Sequence, residues 1–293
     1  MAATTLELTA ADARLVVDLD AGGRLASLRV AGAERLVTSA PPGRLEPIMW
    51  GCYLMAPWAG RLGHGRVPLD GVDHRVPPTY LPDHPVHGLV LDRPWQVESA
   101  DDASAALRCA LPDDRPPFAG TVRQQIRLSA DGLTLAAQVR AARRMPAALG
   151  WHPWFRRPDH GDLVVRVDAD EVLVTDEDLV PTGARAPVTG PRDLRAPVAT
   201  GARRLDHVYV DVRSPATVSW PDLDVKIAFA PPLATVVVHT PPSGVCVEPQ
   251  TAWPNAPALA AAGVDGTGLV VLEPGEVLAA EVRLAWSPRF SRD

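Results

Sequence analysis

The sequence contains very little lysine. Lys226 is the only lysine among 293 residues, and the formal net charge at neutral pH is -6. Proteins that bind nucleic acid or anionic lipid through charge usually carry a stripe or cluster of basic residues. No such stripe is present, so neither nucleic acid nor a membrane surface is an expected partner.

Cysteine and long apolar segments are also scarce. Cys52, Cys109 and Cys246 are an odd number, widely spaced and without a Cys-x-x-Cys pair, so neither a disulfide framework nor a zinc ribbon is predicted. No apolar run approaches the ~18 residues that a membrane span needs. The N-terminus lacks the basic start and continuous apolar core of a signal peptide. We therefore expect a cytoplasmic protein whose thiols are reduced and partly buried.

Several sequence patterns are missing as well. There is no Gly-x-Ser-x-Gly elbow and no phosphate-binding glycine loop, which disfavours a serine hydrolase and a nucleotide-binding fold. Helical periodicity is almost absent. Instead, short segments with β-branched residues alternate with turn signals at intervals of roughly ten residues, as in large antiparallel sandwiches. This pattern predicts an all-β fold, a large antiparallel β-sandwich with little helix.

The same pattern predicts individual elements. No composition break marks a linker, and large all-β units reach ~250 residues, so we expect one domain over residues 1–293. Turn signals between apolar segments predict three hairpins: 14–20 with 24–30, 121–128 with 133–140, and 235–240 with 245–248. The remaining predictions are a closing strand over 276–286, a short helix over 258–262 and a long surface loop over 181–202.

One carboxylate stands out at the end of the third hairpin. Val245 to Val247 predict a buried strand, and Pro249 and Pro254 predict that this strand ends at Glu248. Strand ends and the loops that follow them often present reactive groups. Glu248 is therefore a candidate catalytic residue facing the rim of a sheet.

A histidine far upstream is the second candidate. His152 lies between Trp151 and Trp154 and is followed by Pro153. Histidine can give or take a proton near neutral pH, and aromatic faces suit the apolar C–H face of a sugar ring. On these grounds Trp154 and Trp253, which lies just beyond Glu248, are the best candidates for stacking on a sugar.

Three further peptides complete a pattern. In order and spacing, the chain resembles the aldose 1-epimerases, also called galactose mutarotases, from about Gly51 to Asn255. Five peptides carry this resemblance: LMAPWAGRLG from Leu54, HPVHG from His84, LGWHPWF from Leu149, LDHVY from Leu205 and GVCVEPQTAWPN from Gly244. The most specific pieces are His-Pro-Trp-Phe and Val-Glu-Pro-Gln-Thr.

The resemblance implies both a fold and roles for residues. The fold would be the many-stranded, two-layer arrangement called a supersandwich. Glu248 matches the catalytic base of the family and His152 its catalytic acid. Arg61, His87 and Asp206 match positions that hold the sugar hydroxyls or assist proton transfer. The implied substrate is a free hexose such as galactose or glucose, the implied enzyme class is an isomerase, and no cofactor is implied.

Two positions depart from the common family pattern. Gly60 stands where many members have asparagine before the arginine that Arg61 matches, and Trp154 stands where tyrosine is common. The first change removes a side-chain amide that would contact a hydroxyl. Both departures concern substrate preference more than the reaction.

The chemistry also follows from the residue types. Interconversion of sugar anomers requires removal of the proton from the C1 hydroxyl and protonation of the ring oxygen, which opens the ring to the aldehyde. Closure on the other carbonyl face reverses both transfers, so acid and base exchange roles in one turnover. One carboxylate and one imidazole suffice.

Other chemistries can be built from the same residues. His84 and His87, with His74, His152 or Glu248, could hold a divalent metal. The spacing His-x-x-His with Pro85 inside disfavours the strand geometry that such sites often use. Asp206 and Glu248 could flank a glycosidic bond, although the stronger motif partner of Glu248 is His152.

Two alternatives keep the fold but change the function. The same aromatic platform and hydroxyl contacts could serve a sugar-binding or sensing protein without turnover, and Gly60 leaves room for that interpretation. A hexose 6-phosphate could also be the substrate, with Arg61 and either Arg66 or Arg93 as a phosphate clamp. Solvated or ion-paired arginines explain these residues equally well.

Overall fold

The computed structural model of the protein describes residues 4–39, 45–112 and 114–289. None of its helices has the length and apolar character required to cross a bilayer. In these residues the chain forms 24 strands, one short α-helix and 3-10 turns at Gly63–Gly65 and Gly190–Arg192. The elements are β1 (Thr5–Ala10), β2 (Ala13–Asp18), β3 (Arg24–Val30), β4 (Ala33–Glu34), β5 (Cys52–Met55), β6 (Arg66–Leu69), β7 (Val72–Arg75), β8 (Gln96–Ala100), β9 (Ser104–Ala110), β10 (Gly120–Ser129), β11 (Gly132–Ala141), β12 (Met145–Ala147), β13 (Gly150–Phe155), β14 (Val164–Asp168), β15 (Glu171–Thr175), β16 (Pro181–Pro187), β17 (Val198–Ala199), β18 (Asp206–Val210), β19 (Arg213–Ser219), β20 (Leu223–Phe229), β21 (Thr235–His239), β22 (Val245–Gln250), α1 (Ala256–Ala261), β23 (Val270–Leu272) and β24 (Val277–Pro288).

Two large sheets contain most of these strands. The larger has the order β1-β2-β3-β5-β13-β22-β21-β18-β15-β16, with β4 paired to β3. The second has the order β17-β14-β19-β20-β24-β11-β10-β9-β8, and β12–β23 and β6–β7 form small ribbons. The predicted all-β antiparallel sandwich with little helix is therefore confirmed.

Alternation of side chains along each strand builds the core between the sheets. On β22, Val245 and Val247 belong to the main apolar cluster, together with Leu54 of β5 and Trp151 of β13. The same cluster includes Val122 and other residues of the second sheet. Because successive strand residues point to opposite faces, the intervening residues of β5, β13 and β22 lie on the outer face of the larger sheet.

The predicted hairpins are present. Strands β2 and β3, β10 and β11, and β21 and β22 each pair antiparallel. In the second hairpin Ser129 pairs with Gly132, so Ala130 and Asp131 form the turn. The closing strand is β24, and the short helix is α1, which begins two residues earlier than predicted because Ala256 and Pro257 form its first turn.

The predicted surface loop over 181–202 is wrong in part. Its first segment is β16, an edge strand paired with β15, and Val198–Ala199 forms the short edge strand β17. Proline is acceptable at an edge because a missing N–H on the solvent side breaks no ladder bond. Pro181 and Pro187 therefore delimit a strand that the proline content concealed.

The predicted end of β22 at Glu248 is also wrong. The strand continues to Gln250 between β13 and β21, so Glu248 lies within a central strand. Thr251 donates its N–H to Leu149 on the β13 side, and by alternation Pro249 faces the same side. The strands β13 and β22 are paired on either side of Pro249 but not at Pro249 itself. The missing N–H of Pro249 is therefore tolerated.

A buried arginine fixes the segment that follows the first strands. Arg24 has no exposed surface, and its guanidinium donates to the carbonyls of Ala21, Pro47, Trp50 and Leu91 at 2.7 to 3.0 Å. Its carbon Cζ lies 4.2 Å from the centre of the Trp50 ring. Burial lowers the pKa of Arg24 to about 10, so the side chain remains charged at neutral pH. It ties residues 47–50 to the sheet.

We expect Arg24→Leu to lower the free energy of unfolding by about 3 kcal/mol or more, because several buried carbonyls lose their donor at once. Urea denaturation followed by circular dichroism measures this change. The control is Arg14→Leu, which removes an exposed arginine paired with Glu7 at 3.5 Å and is expected to cost under ~1 kcal/mol. Equal costs for the two variants would contradict the structural role of Arg24.

Candidate active site

The register between β13 and β22 brings an acid and a base together. Gly150 pairs with Gln250 and Trp154 pairs with Cys246. The same antiparallel register places His152 opposite Glu248 on the outer face of the larger sheet. His152 Nε2 lies 3.2 Å from Glu248 Oε1.

The contact between His152 and Glu248 is almost fully buried. His152 is 4% exposed and Glu248 is 2% exposed. Gln250 donates from Nε2 to the other carboxylate oxygen of Glu248 at 3.3 Å. The Tyr53 ring stacks on His152 with centroids 4.8 Å apart, and the Trp154 ring stacks on it at 5.5 Å. Hydrogen bonding and aromatic packing therefore hold both groups in place.

A second row of side chains crosses the same face beside this pair. Trp154 is opposite Cys246, Cys246 is opposite His239, and His239 is opposite Asp206. His239 Nδ1 lies 3.5 Å from Asp206 Oδ2. Strand pairing alone thus places a second imidazole and a second carboxylate next to the pair formed by His152 and Glu248.

These rows form the floor of a cleft with a volume of about 210 Å³. Loops on several sides supply its walls. The residues that line the cleft are Ile48, Met49, Gly60, Arg61, Leu81, Val86, His87, His152, Trp154, Thr175, Leu179, Asp206, Val208, Val237, His239, Glu248, Gln250 and Pro254.

Burial shifts the proton affinities of the central pair in opposite directions. It raises the pKa of Glu248 well above its ordinary value of 4.5, and the nearby Asp206 charge raises it further. It lowers the pKa of His152 well below 6.5, with His87 and His239 contributing in the same direction. In each case removal from water disfavours the charged form. Both shifts favour the state in which the pair holds one proton, on the carboxyl group.

Arg61 and His87 stand beside the pair. Within the part of the chain that the structure describes, no carboxylate lies at ion-pair distance from Arg61, whose charge lowers the pKa of Glu248. Burial, and then the charges of Arg61 and His239, lower the pKa of His87 to about 3. His87 is thus a neutral imidazole, able to donate and to accept a hydrogen bond. Its ring is 4.8 Å from that of His152.

Most of the residues predicted from the sequence meet in this cleft. Arg61, His87, Asp206 and Trp154 line it with the central pair. Trp154 is only 2% exposed and donates its Nε1–H to the Ile48 carbonyl at 2.9 Å. Its ring therefore supports the cleft floor. Trp151, the other tryptophan that flanks His152 in sequence, points into the core.

Trp253 does not reach the cleft. Its indole is 4% exposed, and the Arg185 guanidinium lies 4.9 Å from the ring centre. The hollow that it lines is a separate one, shared with Ala256 and Pro257 of α1. The predicted stacking of Trp253 on a sugar thus has no counterpart in the geometry of the cleft.

Two polar residues on the cleft floor, His239 and Gln250, are not predicted from the sequence. His239 gave no sign beyond a surface histidine, yet its ring faces the cleft and lies 5.9 Å from that of Trp154. Gln250 is fully buried and bonded to Glu248. Extending the predicted strand from Glu248 to Gln250 would have placed the Gln250 side chain on the face of Glu248, since residues two apart on a strand share a face. The position of His239 in the cleft follows from the pairing of β21 with β18, and nothing in the sequence around His239 predicts that pairing.

The described residues bring together neither the alternative metal site around His84 nor the phosphate clamp of Arg61 with Arg66. His84 accepts from the His64 N–H at 3.0 Å and lies 3.6 Å from Asp178, whereas His87 lies in the cleft. The one group of histidine, cysteine and acidic side chains close enough to share a metal ion, within the described residues, contains neither His84 nor His74. Arg66 pairs with Asp73 at 3.0 Å, away from the cleft.

Comparison with known proteins supports the resemblance noted in the sequence. The sequence model of the family described as aldose 1-epimerase matches residues 4–285. The chain belongs to the aldose 1-epimerase family. The rat galactose mutarotase is 31% identical over 153 residues, which is 49% of this chain and 44% of the rat protein. The chain thus matches about half the length of such curated relatives.

Solved structures of the family extend the likeness to the whole fold. A galactose mutarotase-like protein from Clostridium acetobutylicum superposes with a TM-score of 0.84 at 18% identity, covering 98% of this chain and 96% of that one. A galactose 1-epimerase from Lactobacillus acidophilus has a TM-score of 0.79 at 19% identity, covering 98% and 94%. At these identities the likeness concerns the fold.

The structure explains the glycine that departs from the family pattern. Gly60 has φ +66°, and a β-carbon placed on it would lie 2.5 Å from Cβ and Cγ of Pro254. Its carbonyl accepts the N–H of His87 at 3.0 Å. Pro254 occupies the space into which a side chain at position 60 would extend. The change to glycine is therefore matched to its neighbour in this member of the aldose 1-epimerase family.

We expect Gly60→Asn, which restores the common family residue, to lower stability by about 1–3 kcal/mol, because the Pro254 ring must move. Thermal unfolding measures the effect. Gly71→Asn is the control: Gly71 has φ +79° in the turn between β6 and β7, and nothing lies within 4 Å of its added β-carbon. The steric explanation fails if both variants melt at the same temperature.

Proposed function

We propose that this protein interconverts the α and β anomers of a free aldohexose, such as galactose or glucose. In this proposal Glu248 is the base and His152 the acid. The observation that carries the proposal is the 3.2 Å contact between His152 Nε2 and Glu248 Oε1 on the floor of a cleft. The two sugar oxygens that exchange protons are bonded to the same carbon, so adjacent acid and base groups suit them.

The reaction proceeds by ring opening. Glu248 as carboxylate takes the proton of the C1 hydroxyl, while His152 gives its proton to the ring oxygen and the bond from C1 to that oxygen breaks. After rotation about C1–C2, Glu248 returns a proton to the aldehyde oxygen, and His152 takes the proton of the hydroxyl that closes the ring. Each step is a transfer between positioned groups, and such transfers contribute ~10² to 10⁴-fold.

The shared proton suits this cycle. The pair begins and ends each half-reaction with one proton, which only changes partner. Because burial raises the pKa of Glu248 and lowers that of His152, the proton favours the carboxyl group in the empty cleft. Formation of the carboxylate then requires transfer to His152 across the 3.2 Å contact, and the charge of Arg61 assists it.

The surrounding polar groups have the right chemistry for sugar hydroxyls. Arg61 supplies donors, the neutral His87 supplies one donor and one acceptor, and Asp206 with His239 supplies both kinds.

A sugar-binding protein without turnover would need the hydroxyl contacts alone. The buried acid–base contact favours turnover, because burying two ionisable groups is costly and brings no benefit to a pure binder. A phosphorylated hexose is less well supported, since Arg66 and Arg93 do not line the cleft beside Arg61.

Polarimetry on freshly dissolved α-D-galactose and α-D-glucose tests the proposal. We expect the protein to accelerate the change in optical rotation, and Glu248→Gln and His152→Asn each to lower kcat by 10² to 10⁴-fold, because either change removes one of the two proton-transfer groups.

His84→Asn is the matched control, since His84 is a buried histidine outside the cleft. Circular dichroism confirms that each variant is folded. Wild-type rates in a folded Glu248→Gln variant would exclude Glu248 as the base. If the wild-type protein accelerates neither sugar, calorimetric titration with the same sugars and with glucose 6-phosphate separates binding without turnover from a different substrate.

The pH dependence follows from the two pKa shifts. Lowering the pKa of His152 moves uptake of a second proton by the pair below the ordinary 6.5, and raising the pKa of Glu248 moves loss of its last proton well above 4.5. We therefore expect the acid limb of kcat/KM to lie below pH 6.5 and its alkaline limb to lie well above pH 4.5. Polarimetric rates corrected for buffer catalysis measure the profile. An acid limb at or above pH 6.5 would contradict this description of the pair.

A further inference from the structure

Cys246 is a buried nucleophilic group for which the proposed reaction has no use. It lies two residues before Glu248 on β22, so both side chains are on the cleft face of the strand. It is fully buried, directly beneath residues that line the cleft. Cys246 pairs across the sheet with Trp154 on one side and His239 on the other.

Three donor atoms converge at this point. One ligand atom each from His152, Cys246 and Glu248 can be chosen so that all lie within 4.8 Å of one another. The imidazole and carboxylate atoms are already 3.2 Å apart. A tetrahedral zinc ion, with bonds of about 2.0–2.3 Å, requires donor atoms separated by roughly 3.3–3.8 Å. The longest separation among the three donor atoms therefore exceeds that of such a site by about 1 Å at most.

The donor set has a definite preference among metals. Thiolate and imidazole ligands favour soft or borderline ions such as Zn²⁺ over Mg²⁺ or Ca²⁺, which take oxygen ligands. Three protein ligands leave a fourth position of a tetrahedron free. Two of the three, His152 and Glu248, line the cleft. An ion could therefore reach the three donors by the path that a sugar would use.

We propose that His152, Cys246 and Glu248 form a binding site for a thiophilic divalent cation, such as Zn²⁺ or Cd²⁺, and that an ion bound there inhibits the protein. Inhibition follows because the ion takes the lone pairs that His152 and Glu248 need for proton transfer. The inhibitory part rests on the proposed function, whereas the binding part does not.

Cadmium binding can be measured without any activity assay. A cadmium–thiolate bond gives a charge-transfer absorption in the ultraviolet, so CdCl₂ is titrated into the reduced wild-type protein, Cys246→Ser and Cys109→Ser. Cys109 is the matched control because it is a buried thiol on β9 of the other sheet. We expect the band to saturate at one equivalent in the wild-type protein and in Cys109→Ser, and to be absent in Cys246→Ser.

Affinity for the colourless ion is measured by calorimetric titration with ZnCl₂. Loss of one ligand is expected to weaken binding at least tenfold in Cys246→Ser and in His152→Asn. The histidine variant should keep the cadmium–thiolate band at higher ion concentration, and it serves as the test if circular dichroism shows that Cys246→Ser does not fold.

Inhibition is measured as the rate with ZnCl₂ divided by the rate of the same variant with EDTA. We expect this ratio to fall below about one tenth in the wild-type protein and in Cys109→Ser, and to recover toward one in Cys246→Ser at the same ion concentration.

The absence of a saturable band in the wild-type protein, or a band that persists in Cys246→Ser, overturns the site. Binding without any loss of turnover overturns the inhibitory role. A band that depends on Cys246, in a protein that shows no mutarotation even with EDTA, supports the metal site and counts against the proposed function alone.

Discussion

The pairing register of β13 with β22 is the constraint on which the rest of the site depends. It sets His152 opposite Glu248, and every other floor residue follows from pairings that extend this row across the sheet. A slip of β22 by one residue would turn Glu248 toward the core and bring Val247 to the cleft opposite His152. The apolar residues of β22 that pack between the sheets prevent such a slip. Core packing and chemistry are thus specified by alternate residues of the same strand.

Holding two ionisable groups in a dry position has a stabilisation cost, and the structure offsets it locally. Gln250 donates to Glu248, and the rings of Tyr53 and Trp154 pack against His152. The same burial that is unfavourable for folding separates the two pKa values and leaves one proton for the pair to exchange. The site is in this respect a region where stability and reactivity oppose each other.

The sequence predicts the fold class and much of the floor, and the reasons for its failures are physical. Glu248 and His152 lie in short motifs that a resemblance can detect. Pro249 predicts the wrong end for β22, because proline ordinarily ends a central strand. Here its nitrogen faces β13 at a point where the two strands are not paired. His239 was missed because its importance comes from pairing with Asp206 on β18, a contact between segments distant in sequence. Trp253 is near Glu248 in sequence, yet the turn after β22 carries it under Arg185.

Reaction and recognition depend on different parts of this fold. The groups proposed to move protons lie on central strands, whose register leaves little freedom. The walls come from connecting segments, including Ile48 and Met49 before β5, Leu81 before His87 and Leu179 between β15 and β16. These four wall residues are apolar, whereas Arg61 and His87 bring polar groups from connecting segments to the cleft. Under the proposed function, the connecting segments therefore contribute both shape and hydrogen bonds to recognition of the sugar. Exchange of wall loops could then alter sugar preference without disturbing the acid–base pair.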